Sequence, residues 1–204
     1  MHPVGPGAPS PHVHHLRDGA RVLIRPLSAD DRAELVARYD ALSPRSRRLR
    51  FVAAPSHLSG ALLDHLLDVD FVDRYAVVAT LVDEPDRPSV GVARFFRSRE
   101  DPGLADAAVT VVDEHQGRGI GTLLLTELVA GAMAAGISRF TADVMWENHD
   151  LLASLREVGA TVVPGEPGLA SVRVEVPADL DSLHGSPMYE VMRMVGTLEP
   201  AQPA

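Results

Sequence analysis

The chain has 204 residues, 46% of them hydrophobic, and no cysteine, so it can build a core but excludes disulfides, thiolate nucleophiles and cysteine zinc sites. Its formal net charge of -9 argues against a nucleic-acid-binding protein, because such proteins usually present a basic face. No apolar run reaches the length of a membrane span, and the first residues lack the basic and apolar regions of a signal peptide. We therefore expect a cytoplasmic protein with neither a nucleic acid nor a membrane as its partner.

Residues 1–17 are rich in proline, glycine and histidine and show no periodicity, which predicts a disordered tail. The histidines of this segment have no carboxylate or cysteine beside them, so a loose tail is favoured over a metal site. They are His2, His12, His14 and His15. We expect one folded domain over residues 18–196 and a second disordered tail over residues 197–204.

One strand and three helices are predicted after the tail. Residues 21–25 form a short run with β-branched side chains, which is typical of a strand. Ser28 followed by Asp31 resembles a capping box and predicts the start of a helix. The serine and proline at residues 43–44 predict a second helix start, and residues 59–68 place their leucines on one face of a third helix.

The middle of the chain predicts an antiparallel meander. Residues 75–82 and 90–97 are strand-like, and the segment between them is rich in the acidic residues and prolines typical of turns. A second turn at residues 101–103 leads into a third strand over residues 105–112.

The second half alternates between helices and strands. Residues 119–135 carry apolar side chains at helical spacing and end at a glycine, and residues 148–158 predict a further helix. Strands are predicted at residues 140–144, 161–163, 172–176 and 188–194. The order of elements indicates a mixed α/β (α+β) domain with a mostly antiparallel sheet flanked by helices.

A glycine-rich loop lies between the third meander strand and the following helix. Glycines allow positive φ and close approach of a ligand, and the first turn of a helix offers unpaired N–H groups that suit a diphosphate. Arg118 adds a cationic donor, and Thr122 adds a hydroxyl in the first turn. The loop consists of Gln116, Gly117, Arg118, Gly119, Ile120 and Gly121.

Two common phosphate motifs do not fit this loop. A Walker loop ends in lysine followed by serine or threonine, and the loop contains no lysine. A dinucleotide-binding fold requires Gly-x-Gly-x-x-Gly, whereas the spacing here is Gly117-x-Gly119-x-Gly121. The glycines alone are also compatible with a tight turn that binds no phosphate.

The loop with its flanking elements resembles the acyl-CoA-binding motif of the GNAT superfamily of N-acetyltransferases. The apolar strand at residues 109–112 is followed by Gln116-x-x-Gly119-x-Gly121 and an apolar helix. Residues 143–159 are similar to the second motif of that superfamily, in which an asparagine, here Asn148, opens the next helix. The resemblance covers roughly residues 21–194. Residues 21–26 and 42–51 are similar to the acetyltransferase domains of bacterial protein-lysine acetyltransferases.

This resemblance implies a splayed central sheet and acetyl-CoA as co-substrate. The acetyl group would pass to a primary amine by direct attack in a ternary complex, with a protein lysine and a small-molecule amine both open as acceptors. The backbone of Val111 and Val112 would hold the pantetheine arm, which enters a gap between strands ending near Val112 and Val144. Residues 116–122 would hold the pyrophosphate, and Asn148 would lie near the thiol.

The residues at the family's catalytic positions match less completely than those at its cofactor-binding positions. The position of the glutamate base proposed in the subgroup corresponds to Asp106, whose side chain is one methylene shorter, so a bridging water would restore its reach. The apolar run that follows predicts partial burial of Asp106, although the residue also suits the cap of a turn. The tyrosine that many superfamily members use as general acid is replaced by Leu155, with Tyr189 and Ser154 as weak substitutes. A catalytically degenerate acyl-CoA-binding sensor therefore stays open as the alternative to an enzyme.

Overall fold

The computed structural model describes residues 7–50, 57–157 and 159–178 of the chain. The strand predicted at residues 188–194, Tyr189 within it, and the tail at residues 197–204 lie outside the described residues. The described part contains eight strands: β1 (His12–His15), β2 (Arg21–Pro26), β3 (Arg74–Leu81), β4 (Ser89–Arg97), β5 (Leu104–Val111), β6 (Arg139–Met145), β7 (Thr161–Pro164) and β8 (Leu169–Glu175).

These strands form one sheet in the order β1-β2-β3-β4-β5-β6-β8-β7. Neighbouring strands are antiparallel except β5 and β6, which are parallel. The meander predicted from the turn residues is therefore confirmed as β3, β4 and β5. The parallel pair arises because the chain crosses over through a helix between β5 and β6, which is the connection that parallel neighbours require.

Within the described residues, five α-helices flank the sheet: α1 (Arg32–Ala41), α2 (Pro44–Arg50), α3 (Gly60–Leu67), α4 (Ile120–Ala134) and α5 (His149–Glu157). At the start of α3, the Ser59 hydroxyl accepts a hydrogen bond from the backbone N–H of Leu62 at 3.2 Å, which satisfies one of the first-turn donors. Before α1, the buried Asp31 carboxylate accepts from the Ser28 N–H at 2.8 Å and pairs with Arg25 at 2.6 Å. No helix in this part of the chain is long and apolar enough to cross a membrane.

The core has two layers, one on each face of the sheet. Strand alternation turns Val77 and Phe95 toward α4, whose many buried residues make it the central helix of the larger core. The intervening residue Val78 packs on the opposite face, in a smaller cluster shared with the region of α1 and α3. Because both faces are covered, β3 is buried along nearly its whole length.

The first strand differs from the expectation of a disordered tail over residues 1–17. His12–His15 forms β1, which pairs antiparallel with β2 from His12↔Ile24 to His15↔Arg21. The strand is held by the exposed edge of β2 and by a contact from His12 to Glu127 on α4 at 2.9 Å. The histidine-rich composition shows no strand periodicity, and the segment is ordered by pairing with β2 and by a contact with Glu127, which is 115 residues away in the sequence.

β5 and β6 separate soon after they meet. Their register contains only Leu104↔Arg139, Ala105↔Phe140 and Asp106↔Thr141. Beyond this point β5 continues along β4 as far as Gly91↔Val111, while β6 continues along β8 as far as Met145↔Leu169. β5 thus stays paired with β4 and β6 stays paired with β8, while β5 and β6 separate. The sheet is therefore splayed, as the resemblance implied.

Packing between α4 and the sheet offers a test of this core. A Cβ on Gly131 of α4 would lie 2.6 Å from the ring of Tyr75, which is itself stacked on Phe95 and cannot move aside. We expect Gly131→Ala to lower the free energy of unfolding by about 1–3 kcal/mol, because overpacking outweighs the gain in helix propensity of about 1 kcal/mol. Gly60→Ala, at an open position of α3, is the matched control and should not destabilise.

Urea denaturation of the two variants and the parent chain measures this difference. A Gly131→Ala protein as stable as the Gly60→Ala protein would show that α4 does not pack against Tyr75 as closely as described.

Candidate active site

The gap between β5 and β6 exposes one edge of β5. The backbone N–H of Val112, directly after β5, donates to the carbonyl of Val90 at 2.9 Å, so the backbone groups of Val112 point toward β4. Since these groups alternate sides along a strand, those of Val111 and Val109 point toward the gap. Consistent with this, the Val111 carbonyl accepts from the side-chain amide of Gln116 at 3.1 Å. An extended ligand with amide groups can pair with this edge as an additional strand.

Val112 is engaged within the protein. Its N–H bonds to Val90, and its carbonyl accepts from the backbone N–H of His115 at 2.9 Å. Of the two residues expected to offer backbone groups to a ligand, Val111 is therefore the one that faces the gap.

The glycine loop has a left-handed backbone at two positions. Gly117 has φ of 74° and Gly119 has φ of 91°, values that L side chains rarely adopt. Gly119 is the N-cap of α4, and its carbonyl accepts from the N–H of Leu123 at 3.0 Å. The next N–H groups, in the first turn of α4, have no acceptor within the helix and carry the positive end of its dipole.

The first turn of α4 rests on β5. Ile120 is only 1% exposed, so its side chain anchors the helix in the core and only its backbone can serve a ligand. A Cβ on Gly121 would lie 3.7 Å from the side chain of Val111. Thr122 is half-buried, and its carbonyl accepts from the hydroxyl of Thr126 at 3.0 Å. The loop and the open edge of β5 thus form one continuous surface.

Arg118 is already paired. Its Nε donates to Asp18, in the turn between β1 and β2, at 2.7 Å, and its Nη1 lies 2.9 Å from Nδ1 of His115. The hydrogen bond from the Arg118 guanidinium lowers the pKa of the Asp18 carboxyl. An anionic ligand on the loop would therefore compete with Asp18 for this cation.

Asn148 lies on the other side of the gap. Its N–H donates to the carbonyl of Met145 at 2.9 Å, and its own carbonyl accepts from Leu152 at 3.0 Å, so it joins the end of β6 to the start of α5. One turn further, Leu155 packs partly buried against the main core. A side chain at that position is held by apolar neighbours and supplies no proton.

Asp106 is the last residue of β5 that is in register with β6, and it lies opposite Phe96 on β4. Its side chain is exposed, so the expectation of partial burial was wrong. Its neighbours Ala105 and Ala107 turn toward the main core, which directs Asp106 to the opposite face of the sheet. The apolar run that suggested burial belongs to the other face of the strand.

A cavity of about 690 Å³, counted with its open mouth, lies on the same face as Asp106. It is bounded by α1, α3, β4 and β5, and its lining includes Leu35, Tyr39, Leu66, Val92, Arg94 and Thr110. No spacing in the sequence marks this cavity, because its wall comes from several helices, strands and connecting segments. The available signal was Arg94, a cation within an apolar strand, which is buried and donates to the Leu66 carbonyl at 3.1 Å.

The structure therefore combines a sheet that splays between two parallel strands with a glycine loop at the start of the crossover helix. Residues 21–161 match the acetyltransferase (GNAT) domain family, and the chain belongs to this family of N-acetyltransferases, which use acyl-CoA.

Two relatives share this sequence pattern. The chain is 36% identical to acetyltransferase PA5475 of Pseudomonas aeruginosa over 124 residues, which make up 61% of this chain and 66% of that protein. It is 34% identical to acetyltransferase Pat of Mycolicibacterium smegmatis over 131 residues, which make up 64% of this chain and 38% of Pat. The chain therefore spans somewhat less than two thirds of the first relative and well under half of the second.

Solved structures show the same architecture. The GNAT domain of PAT from S. lividans matches with a TM-score of 0.72 and 28% identity, covering 81% of this chain and 96% of that domain. The yncA acetyltransferase of Salmonella typhimurium, solved with its cofactor acetyl-CoA, matches with a TM-score of 0.60, covering 76% of this chain and 94% of that one. At 19% identity the second match shows the fold alone.

The loop geometry leads to a first prediction for acetyl-CoA binding. Gly119→Glu should weaken binding on the order of 100-fold, because a carboxylate at the N-cap would repel the pyrophosphate. Gly136→Glu is the matched control, since Gly136 also has positive φ, at 71°, but lies beyond the opposite end of α4. Calorimetric titration of both variants should show loss for Gly119→Glu only. Equal affinities in the two would mean that the ligand's phosphates lie elsewhere.

The ion pair at the loop leads to a second prediction. Asp18→Asn should tighten acetyl-CoA binding roughly two- to fivefold, because it releases Arg118 and removes a negative charge from the loop. Asp83→Asn removes the same charge from an ion pair with Arg21 and should leave the affinity unchanged. If Asp18→Asn weakens binding, then the pair positions Arg118 for the ligand instead of competing for it.

Proposed function

We propose that this GNAT domain transfers an acetyl group from acetyl-CoA to the ε-amine of a protein lysine, by direct attack in a ternary complex. The observation that carries the proposal is the separation of β5 from β6 at Asp106. Because of this separation, an open edge of β5 runs from the glycine loop, which suits phosphates, at one end of the gap to the Asp106 carboxylate at the other end.

The carrier would lie along this gap. The pantetheine arm would pair with the backbone groups of Val111, displacing the Gln116 amide from the Val111 carbonyl. The pyrophosphate would sit on residues 116–122, and Asn148 would lie beside the thiol end. This arrangement points the thioester toward the end of the gap at which Asp106 stands.

The reaction needs a base, because a lysine-type amine has a pKa of about 10.4 and is mostly protonated at neutral pH. Asp106 is the carboxylate on the cavity face of β5, and a water between it and the amine would make up for its short side chain. The tetrahedral oxyanion also needs a donor. We assign this role to the N–H of Val109, which faces the gap and lies nearer to Asp106 than Val111 does, whereas the N–H of Val112 already donates to Val90.

No protonating side chain is required on the leaving group. A thiol has a pKa of about 8.5, so the thiolate leaves readily near neutral pH. The apolar Leu155 at the usual tyrosine position is therefore compatible with turnover.

The acceptor would enter through the cavity between the helices α1 and α3 and the face of the sheet. Its lining is largely apolar, which suits the aliphatic stem of a lysine side chain while the amine reaches the strand face. The resemblance of residues 21–26 and 42–51 to the acetyltransferase domains of bacterial protein-lysine acetyltransferases supports a protein acceptor. A small-molecule amine is the rival within the same reaction class.

The alternative is a domain that binds acyl-CoA as a sensor without turnover. It is favoured by the short, exposed Asp106 together with Leu155 in place of an acid. The two functions differ in one observable, since only the enzyme releases free CoA when an amine is supplied.

Substitution of Asp106 tests the proposal. Asp106→Asn should keep the affinity for acetyl-CoA within about twofold and lower the rate of CoA release by 10²-fold or more, about the contribution of a general base. Asp106→Glu, which lengthens the side chain, should retain activity. Asp143→Asn, at an exposed acid on the neighbouring β6, is the control for loss of one charge.

Thiol release should be measured with a panel of lysine peptides and small amines at saturating acetyl-CoA. Full activity of Asp106→Asn would show that Asp106 is not the base. Acetyl-CoA binding without CoA release for any acceptor would favour the sensor, and activity with small amines alone would exclude the lysine acceptor.

A further inference from the structure

Two histidines of β1 and a glutamate of α4 converge beneath the edge of the sheet. Nε2 of His12 lies 2.9 Å from Oε1 of Glu127, and Nε2 of His14 lies 3.7 Å from the same oxygen. The side chain of Glu127 is only 12% exposed, and those of His12 and His14 are 38% and 22% exposed. The nearest nitrogen and oxygen atoms of all three groups fall within 4.8 Å of one another.

In the neutral form of His12, the contact with Ser10 places the proton on Nδ1 and leaves a lone pair on Nε2, the nitrogen that faces Glu127. Nδ1 of His12 lies 2.9 Å from the carbonyl of Ser10, and a carbonyl accepts, so Nδ1 carries the proton. Nε2 of the neutral ring is then an acceptor. It faces the Glu127 carboxylate, which is also an acceptor, at hydrogen-bond distance, and two such groups need a cation between them.

A proton can bridge His12 and Glu127, but it does not complete the cluster. Nε2 of His14 is buried, and no hydrogen-bond donor or acceptor of the described residues lies within hydrogen-bond distance of it. Buried polar nitrogens without a partner are rare in folded proteins, because the lost hydration is not replaced. A single metal ion at the centre would bind all three atoms at once.

We propose that His12, His14 and Glu127 form a binding site for a divalent transition metal, with Zn²⁺ as the best match. Tetrahedral zinc with bonds of about 2.0–2.1 Å separates neighbouring ligand atoms by roughly 3.3 Å, between the two distances to Glu127 observed here. Two imidazoles and one carboxylate suit zinc and exclude Mg²⁺ and Ca²⁺, which prefer oxygen ligands. The contact of His12 with Ser10 is the outer-shell hydrogen bond that ligating histidines usually make.

The role of this site is structural and separate from acyl transfer. Glu127 lies seven residues into α4, about 10 Å along the helix axis from its first residue. The metal would fix the edge strand β1 to α4. The turn that follows β1 carries Asp18, which pairs with Arg118 of the glycine loop, so the metal would also restrict the position of Asp18 beside that loop.

The test uses the untagged full chain after treatment with EDTA. Calorimetric titration with Zn²⁺ should show one equivalent bound, and zinc at 100 times its Kd should raise Tm by roughly 5–10 °C. His14→Gln and Glu127→Gln should each weaken binding by at least about tenfold, the usual cost of losing one ligand or its support. His15→Gln is the matched control, because His15 lies on the same strand but faces away from α4.

Co²⁺ provides a second measurement that does not depend on the variants folding. Its visible absorption in the parent chain should be the intense band of tetrahedral nitrogen and oxygen ligation. The proposal is overturned if excess zinc leaves Tm unchanged, if Co²⁺ gives only the weak spectrum of the aquo ion, or if His15→Gln weakens binding as much as His14→Gln does. None of these readouts uses enzymatic activity, so they stand apart from the proposed acetyl transfer.

Discussion

β5 holds to β4 along its whole length and to β6 for only three register pairs. A strand cannot follow two partners that diverge, and here the longer antiparallel ladders on the outer sides decide the course of both strands. The result is an opening in the middle of a sheet, where backbone donors and acceptors are left for a ligand. The crossover helix α4 must begin above this opening, because it connects the two strands that form it. The loop, the gap and the face of Asp106 all follow from this one divergence.

The opening also allows the two proposed substrates to reach the site from different sides. In the proposed complex, the carrier would occupy the gap from the side of the loop, and the cavity on the face of α1 and α3 would stay available to the amine. The two substrates can therefore be bound together, which direct attack requires. Asp106 stands where β5 and β6 part, and strand alternation turns its side chain to the face opposite the main core.

The N-terminal segment contributes to the site from outside the family-matched residues 21–161. β1 completes the sheet edge, and its turn brings Asp18 to the cation of the glycine loop. If acyl-CoA binds at this loop as proposed, the charge that Arg118 offers to its phosphates depends on a residue that precedes the matched region. A metal on β1 and α4 would tie the same segment down from its other end.

Local pattern determined most of the elements and the loop. Apolar periodicity located α3, α4, α5 and the meander, and the glycine spacing located the positive φ of Gly117 and Gly119, because these features depend on neighbours a few residues away. Tertiary structure alone decided that Asp106 is exposed, that a cavity lies on the same face of the sheet, and that His12 and His14 meet Glu127. Those outcomes depend on which strand edges remain unpaired and on contacts between residues more than 100 positions apart, for which the sequence carries no local period.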